Sequence, residues 1–117
     1  MALDCQWVRD DAALEASWRK ARENEPCIVL DERGYTYNSV EFSELLYEKM
    51  EEGGSRVSFF IGGAEGLPPA LKEASSKKQP LFSLGRLTYT HQMARLLLSE
   101  QIYRATEIRR GSGYHKD

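Results

Sequence analysis

Two cysteines and two histidines among 117 residues leave little material for metal or disulfide chemistry. Cys5 and Cys27 stand at no ligand spacing, and His91 and His115 are 24 positions apart. Neither pattern matches a structural zinc set, so the cysteines read as small core residues of a reducing compartment and no metal is expected. Long apolar runs are also missing. No stretch approaches the roughly 18 residues of a membrane span, so no membrane segment is expected. The opening M-A-L-D-C-Q-W-V has no basic stretch ahead of an apolar one, and acids begin at Asp4. The expected compartment is the cytosol, with an organellar address removed beforehand as the alternative. Three catalytic signatures are absent too. There is no G-x-x-x-x-G-K-[ST] for phosphoryl transfer, no G-x-G-x-x-G for a dinucleotide, and no G-x-S-x-G elbow around Ser83, Ser99 or Ser112.

What is present fits one soluble domain spanning residues 1–117, with 41% hydrophobic and 29% charged residues. The net charge of −2 hides an asymmetry. Residues 1–76 carry 8 Lys/Arg against 15 Asp/Glu, whereas residues 77–117 carry 8 against 3 and hold both histidines. A basic C-terminal third suits a polyanion, since phosphate contacts supply the sequence-independent part of nucleic-acid affinity. The plainer alternative is a set of solvated helix faces with a basic helix C-terminus favoured by the dipole.

Short apolar runs alternate with helical patterns. Leu3 to Val8 reads as a strand, and Asp10 or Asp11 caps a helix carrying Leu14, Trp18 and Ala21 on one face. After Pro26, C-I-V-L at 27–30 has the continuous apolar character of a buried strand, and Asp31-Glu32-Arg33-Gly34 reads as a polar loop leaving it. Asn38 with Glu41 forms a capping box for a helix presenting Phe42, Leu45, Leu46 and Met50, stopped by Gly53-Gly54. Val57 to Ile61 is a strand, the prolines after Leu67 open a helix that fades into S-S-K-K-Q, and Leu81 to Leu84 is a short strand. Thr90 caps a last helix running to about Ile108. The order β-α-β-α-β-α-β-α predicts an α/β fold with a mostly parallel sheet and helices on both faces.

Ligands of such sheets collect beyond the carboxyl ends of the strands. The segments after Leu30, Ile61 and Leu84 are all expected to leave that edge, where one cofactor could touch all three. Among them, G-G-A-E-G at 62–66 lets backbone approach a ligand closely, although a turn needing glycine for steric reasons reads the same way. The last helix is apolar on more than one face, so part of its cover is expected from a second subunit in a symmetric dimer. His91, Arg95 and Glu100 punctuate it, and the chain ends G-S-G-Y-H-K-D, a tail whose Tyr114-His115 pair suggests a return onto a site.

Taken together, F-F-I-G-G-A-E-G-L (59–67), F-S-L-G-R-L-T-Y-T-H (82–91), the helix H-Q-M-A-R-L-L-L-S-E-Q-I-Y-R-A, the G-S-G-Y-H-K-D ending and L-D-E-R-G at 30–34 closely resemble the RlmH family of SPOUT-class methyltransferases. The likeness covers about residues 27–117 well and 1–26 loosely. It implies a C-terminal trefoil knot, a homodimer, and transfer of a methyl group from S-adenosylmethionine to ring nitrogen 3 of a pseudouridine in large-subunit ribosomal RNA. By the same resemblance, Leu30, Gly62, Gly63 and the stretch Leu84, Gly85, Arg86, Leu87, Thr88, Tyr89 enclose the cofactor. His91, Arg95, Glu100, Tyr114 and His115 form the RNA-facing catalytic site. Thr90 stands where the family commonly carries proline, a change that a capping threonine accommodates.

Methyl transfer asks the protein to position donor and acceptor and to help the acceptor nitrogen lose its proton. His91 or the Tyr114-His115 tail is expected in the base or orienting role, and Arg95 and Arg104 at RNA phosphate. Two other functions compete. One is an inactive RNA-binding protein of the same fold in ribosome assembly, and the other is a small-molecule methyltransferase, which the basic tail disfavours.

Overall fold

The C-I-V-L run becomes the centre of the sheet. The computed structural model describes residues 5–6, 8–62, 66–74, 79–85 and 87–116. Its central strand β1 (Cys27–Thr36) is flanked by β2 (Ser58–Ile61) and β3 (Leu81–Ser83), both parallel to it, in the order β2-β1-β3. Cys27, Ile28, Val29 and Leu30 are all buried, and their alternation sends Ile28 and Leu30 to one face and Cys27 and Val29 to the other. A strand that is apolar on both faces must be covered on both.

Helices α2 (Ser39–Glu52) and α4 (His91–Arg110) cover the first face. Phe42, Leu45 and Leu46 of α2 and Leu98, Ile102 and Ala105 of α4 close over Ile28, Leu30 and Phe82. Phe42 stacks on Phe82 at 5.0 Å, a pair that adds about 0.5–1.5 kcal/mol beyond simple burial. The two helices approach closely because small residues meet there: Ser43 Oγ donates to the carbonyl of the fully buried Ala105. Helices α1 (Asp11–Ala21) and α3 (Pro69–Glu73) cover the other face, where Leu14, Trp18, Leu67 and Leu71 pack on Cys27, Val29 and Phe60. The Trp18 indole N–H donates to Gln79 Oε1, closing that layer.

Caps fix the helix starts. Asp10 accepts from the Ala13 amide, Asn38 and Glu41 form the reciprocal capping box, and Thr90 Oγ1 accepts from the Met93 amide. Each satisfies amides that have no partner within their own helix.

Two expectations are corrected. Of the strand expected over Leu3 to Val8, the described residues Cys5, Gln6 and Val8 have no regular structure and both Cys5 and Gln6 are exposed; the rest lies outside the described residues. Among the described residues, Cys5, Gln6 and Val8 join no strand of the sheet. The polar segment 31–34 is not a loop but part of β1. Leu30 and Tyr35 both stand opposite Phe82, so the intervening residues bulge out of the ladder and β1 then rejoins β3 at Thr36. Gly34 makes this possible: a Cβ there would lie 2.6 Å from the Leu81 carbonyl carbon.

Candidate active site

Parallel pairing brings three chain segments to one edge. Leu30 is in register with Ile61 on one side and Phe82 on the other, so the bulge of β1, the turn at Gly62 and the segment from Leu84 leave the sheet together. Leu30 itself is buried beneath that edge. A Cβ on Gly62 would lie 2.6 Å from the Gly66 carbonyl carbon and 2.9 Å from the Leu67 nitrogen, so the turn folds against itself with no room for any side chain. Gly63 and Arg86 lie outside the described residues.

Buried Ser83 fastens two of the segments together. Its hydroxyl accepts from the Gly85 amide at 3.0 Å and stands within donating distance of the carbonyls of Gly85 (2.8 Å) and Glu32 (3.1 Å). Thr88 Oγ1 donates to Glu32 Oε2 at 2.8 Å. Gly85, through Ser83, and Thr88 are thereby tied to the β1 bulge, while Leu87 is exposed.

Beside this edge lies a cleft of about 660 Å³. Its walls are Thr36 to Val40 with Phe42, then Phe82, Ser83, Leu84 and Tyr89, with Leu97 and Gln101 of α4 and His115 of the tail. The volume is that of a small-molecule site, and apolar rings with a few polar groups are the usual lining. Tyr37 packs edge-on against Phe82 at 5.6 Å. Burial first, then the neighbouring Tyr35 and carboxylates, push its phenol above the ordinary 10.0, so it stays protonated at neutral pH.

The tail returns along α4. Tyr114 OH donates to Glu100 Oε1 at 3.2 Å, and its ring meets Tyr103 edge-on at 5.0 Å. Arg104 gives Glu100 a forked pair, Nε at 3.1 Å and Nη2 at 2.8 Å, and places Nη1 3.0 Å from His115 Nδ1. The Arg104 hydrogen bond leads the effects that hold the Glu100 carboxyl below its ordinary 4.5. Arg104 therefore sits inside the tail cluster.

His91 and Arg95 occupy another flank of α4. With Leu98, Ser99 and Ile102 they line a larger cleft of about 1120 Å³ that also takes in Gly62, Ser58 to Ile61 and residues of the N-terminal segment. The expected site residues thus fall into two groups. Leu84, Tyr89 and His115 share the smaller cleft, with Glu100 and Tyr114 in the adjoining cluster, whereas Gly62, His91 and Arg95 share the larger one. Helix α4 contributes to both. Glu32, Ser83, Tyr37 and Gln101 were not expected at the site; Glu32, Ser83 and Gln101 lie inside the blocks that carry the resemblance, and Tyr37 lies outside them. Among the described residues no group of His, Cys, Asp and Glu is placed to hold a metal ion, and no helix is long and apolar enough to cross a membrane.

Residues 6–115 match the family model described as "Predicted SPOUT methyltransferase". The chain belongs to the SPOUT methyltransferase family. It is 44% identical over 116 residues to "Ribosomal RNA large subunit methyltransferase H" of Protochlamydia amoebophila (strain UWE25), covering 99% of this chain and 78% of that protein. A protein of the same description from Porphyromonas gingivalis (strain ATCC 33277) is 43% identical over 98 residues, 84% of this chain and 60% of its own length. One from Campylobacter fetus is 47% identical over 90 residues, 77% of this chain and 55% of its own. The chain therefore spans between about half and four fifths of these relatives. Membership of a methyltransferase family brings with it a methyl-donating cofactor, and the parallel α/β sheet with helices on both faces agrees with it.

Proposed function

We propose that this chain is an S-adenosylmethionine-dependent methyltransferase acting on large-subunit ribosomal RNA, with ring nitrogen 3 of a pseudouridine as acceptor. The observation that carries the reading is the meeting of the Ser83-anchored segment and the C-terminal tail at one cleft beside the sheet edge, in a chain of this family. The relatives are named as methyltransferases of large-subunit ribosomal RNA, and that supplies the RNA. The residues present fit the cofactor. Tight backbone at Gly62 and the pinned segment 84–89 offer amides and carbonyls to its polar groups, and Leu30, Phe82 and Leu84 offer apolar cover. Leu30, Gly62, Gly63 and Leu84 to Tyr89 would hold it, and when bound it supplies a methyl carbon activated by a sulfonium.

The chain's own residues do the rest. Ser83 and Thr88 keep the donor-side segment from moving, which holds a reacting pair in place and lowers the barrier by orientation. The cluster of Glu100, Arg104, Tyr114 and His115 receives the nucleobase, and Arg95 with the basic C-terminal third meets phosphate. His91 acts beside Arg95 on the neighbouring flank.

The active form is a homodimer. Met93 (45% exposed), Leu96 (63%) and Tyr103 (51%) are large apolar residues left uncovered on α4, spaced three and seven apart along one stripe, and a second copy of that helix would cover them. The 117 residues act as one domain, its C-terminal part threaded as a trefoil knot, and work on ribosomal RNA in the cytoplasm without a metal. The test is methyl transfer from labelled S-adenosylmethionine to large subunits, assembled ribosomes and free RNA, with the modified nucleotide located by mass spectrometry. No incorporation into any of the three would end the proposal.

A further inference from the structure

Tyr114 is fastened to α4 through one carboxylate, and a side chain from outside the tail sets how that carboxylate lies. Glu100 Oε1 accepts from Tyr114 OH at 3.2 Å and from Arg104 Nε and Nη2 at 3.1 and 2.8 Å, whereas Gln101 Nε2 donates to Oε2 at 2.8 Å. An ionised carboxylate only accepts, so Gln101 must turn its amide nitrogen to Glu100 and its carbonyl oxygen the other way. There Gln101 Oε1 meets the Ser39 hydroxyl, which donates at 2.8 Å across 62 positions of sequence. A flipped amide would set oxygen against the carboxylate, so the chemistry fixes the orientation. Ser39 is the first residue of α2, and the Asn38–Glu41 capping box holds that end of the helix. Asn38, Ser39 and Gln101 all stand on the wall of the smaller cleft. A continuous run of hydrogen bonds thus leads from the start of α2, along the cleft, to Tyr114.

We propose that Gln101 is a positioning residue for the tail: anchored on Ser39, it orients the Glu100 carboxylate that holds Tyr114 beside the cleft. This deepens the reading given under Proposed function and rests on it. Rotation about the last bond of Glu100 would carry Oε1 away from the Tyr114 hydroxyl. Arg104 does not prevent that by itself. Both of its short contacts fall on Oε1, and its approach to Oε2 is 3.5 Å, so the pair lacks the two parallel bonds that lock a carboxylate plane. Gln101 supplies the second fixed point. The two ends of its side chain ask for different chemistry. Ser39 can donate to the oxygen of an amide or of a carboxylate, whereas Glu100 accepts only from a donor. A glutamate at position 101 would therefore keep the tie to α2 and set like charges together at the tie to Glu100. Gln101 acts on the reaction through Glu100 and Tyr114, and no contact of its own with donor or RNA is needed.

Q101E separates positioning from bracing, and Q101M, which keeps the volume without the polar ends, backs it up; both are measured below their melting transitions. In the full chain labelled with fluorotyrosine, with Tyr114 assigned from Y114F, the wild-type Tyr114 ¹⁹F signal is expected to be displaced from that of free tyrosine. The Tyr103 ring edge-on at 5.0 Å and the Arg104 guanidinium 4.9 Å over the Tyr114 ring are the cause. In Q101E and Q101M the signal should fall back towards the free value. A Tyr114 signal unchanged from wild type in both variants overturns the proposal, and this is read without donor, RNA or turnover. In the methyl-transfer assay Q101E is expected to lower kcat about tenfold with the donor KM unchanged, since one oriented hydrogen bond is at stake. S39A, which removes the anchor and leaves the Gln101 donor, should lose less than Q101E. Wild-type kcat in Q101E beside a loss in S39A would reduce Gln101 to a brace between helices and sink the positioning role. A wild-type chain with no turnover on any RNA would instead count against the methyltransferase reading, while the spectra still decide whether Gln101 holds the tail.

Discussion

Replacing Gly62 with alanine places a methyl group where the structure has none to spare. The added carbon would lie 2.6 Å from both the carbonyl carbon and the oxygen of Gly66, against the 3.4–4 Å of ordinary contact. Main chain must therefore move by about 1 Å, since no flexible side chain is there to yield. Forcing extra volume into a packed site costs about 1–3 kcal/mol, which for a domain of this size lowers the melting temperature by roughly 3–12 °C. The larger consequence is at the cofactor, because a displacement of about 1 Å in a positioning element can cost on the order of a hundredfold. Gly53→Ala is the control. Its methyl would meet the Arg56 carbonyl oxygen and Pro26 Cδ at 2.3 Å, a still tighter clash at the opposite end of the sheet. Both variants should melt earlier in a thermal scan. Only Gly62→Ala should lose affinity for S-adenosylmethionine, by tenfold or more, in calorimetric titration below the transition. Unchanged affinity in Gly62→Ala, or equal losses in both, would refute the placement of the donor at the Gly62 turn.

Three further outcomes are expected. Trp18→Phe removes the indole donor from Gln79 and leaves a void in a layer where Trp18 is 1% exposed; urea titration should show a loss of about 2–4 kcal/mol at unchanged m, and a loss under 1 kcal/mol would contradict that packing. The Glu100 carboxyl is held below 4.5, first by its hydrogen bond from Arg104, so its share of stability is full above that pH and vanishes as pH falls through the lower, folded value; the stability gap between wild type and Glu100→Gln should close between pH 5 and 2, and a gap that widens on acidification would reverse the argument. Leu96→Glu puts charge on the uncovered stripe of α4 and should give monomers by sedimentation velocity, with dimers expected of the wild-type chain; dimers in both would move the interface elsewhere.

Local chemistry was legible in the residues, and distant chemistry was not. The Asn38–Glu41 capping box could be read because its partners are three positions apart, and the C-I-V-L run because burial on both faces leaves it uniformly apolar. Asp31 to Gly34 misled. Their polarity is that of a loop, and what keeps them in the strand is the Leu81–Ser83 main chain some fifty positions away, with Gly34 admitting it. At Cys5, Gln6 and Val8 the partial alternation misled, since those described residues are in no strand. At the site, the Gly62 turn and the 84–89 segment stood out by composition. The Ser83–Glu32 and Thr88–Glu32 links join residues 51 and 56 positions apart and leave no periodic trace. Helical spacing placed His91 and Arg95 together. Which flank of α4 they face depends on how that helix seats against α2 and the sheet. Arg104 was expected at phosphate; helical spacing could have paired it with Glu100 four positions back, but its contact with His115 lies eleven positions on, beyond a turn, where no sequence rule reaches.

The most direct test of the whole account is mass analysis of large-subunit ribosomal RNA after incubation with the purified chain and methyl-labelled S-adenosylmethionine. One labelled methyl on N3 of a single pseudouridine is the predicted result, diminished when Tyr114 and His115 are both alanine while donor affinity holds. Ribosomal RNA that gains no label, from a chain that binds the donor, would contradict it.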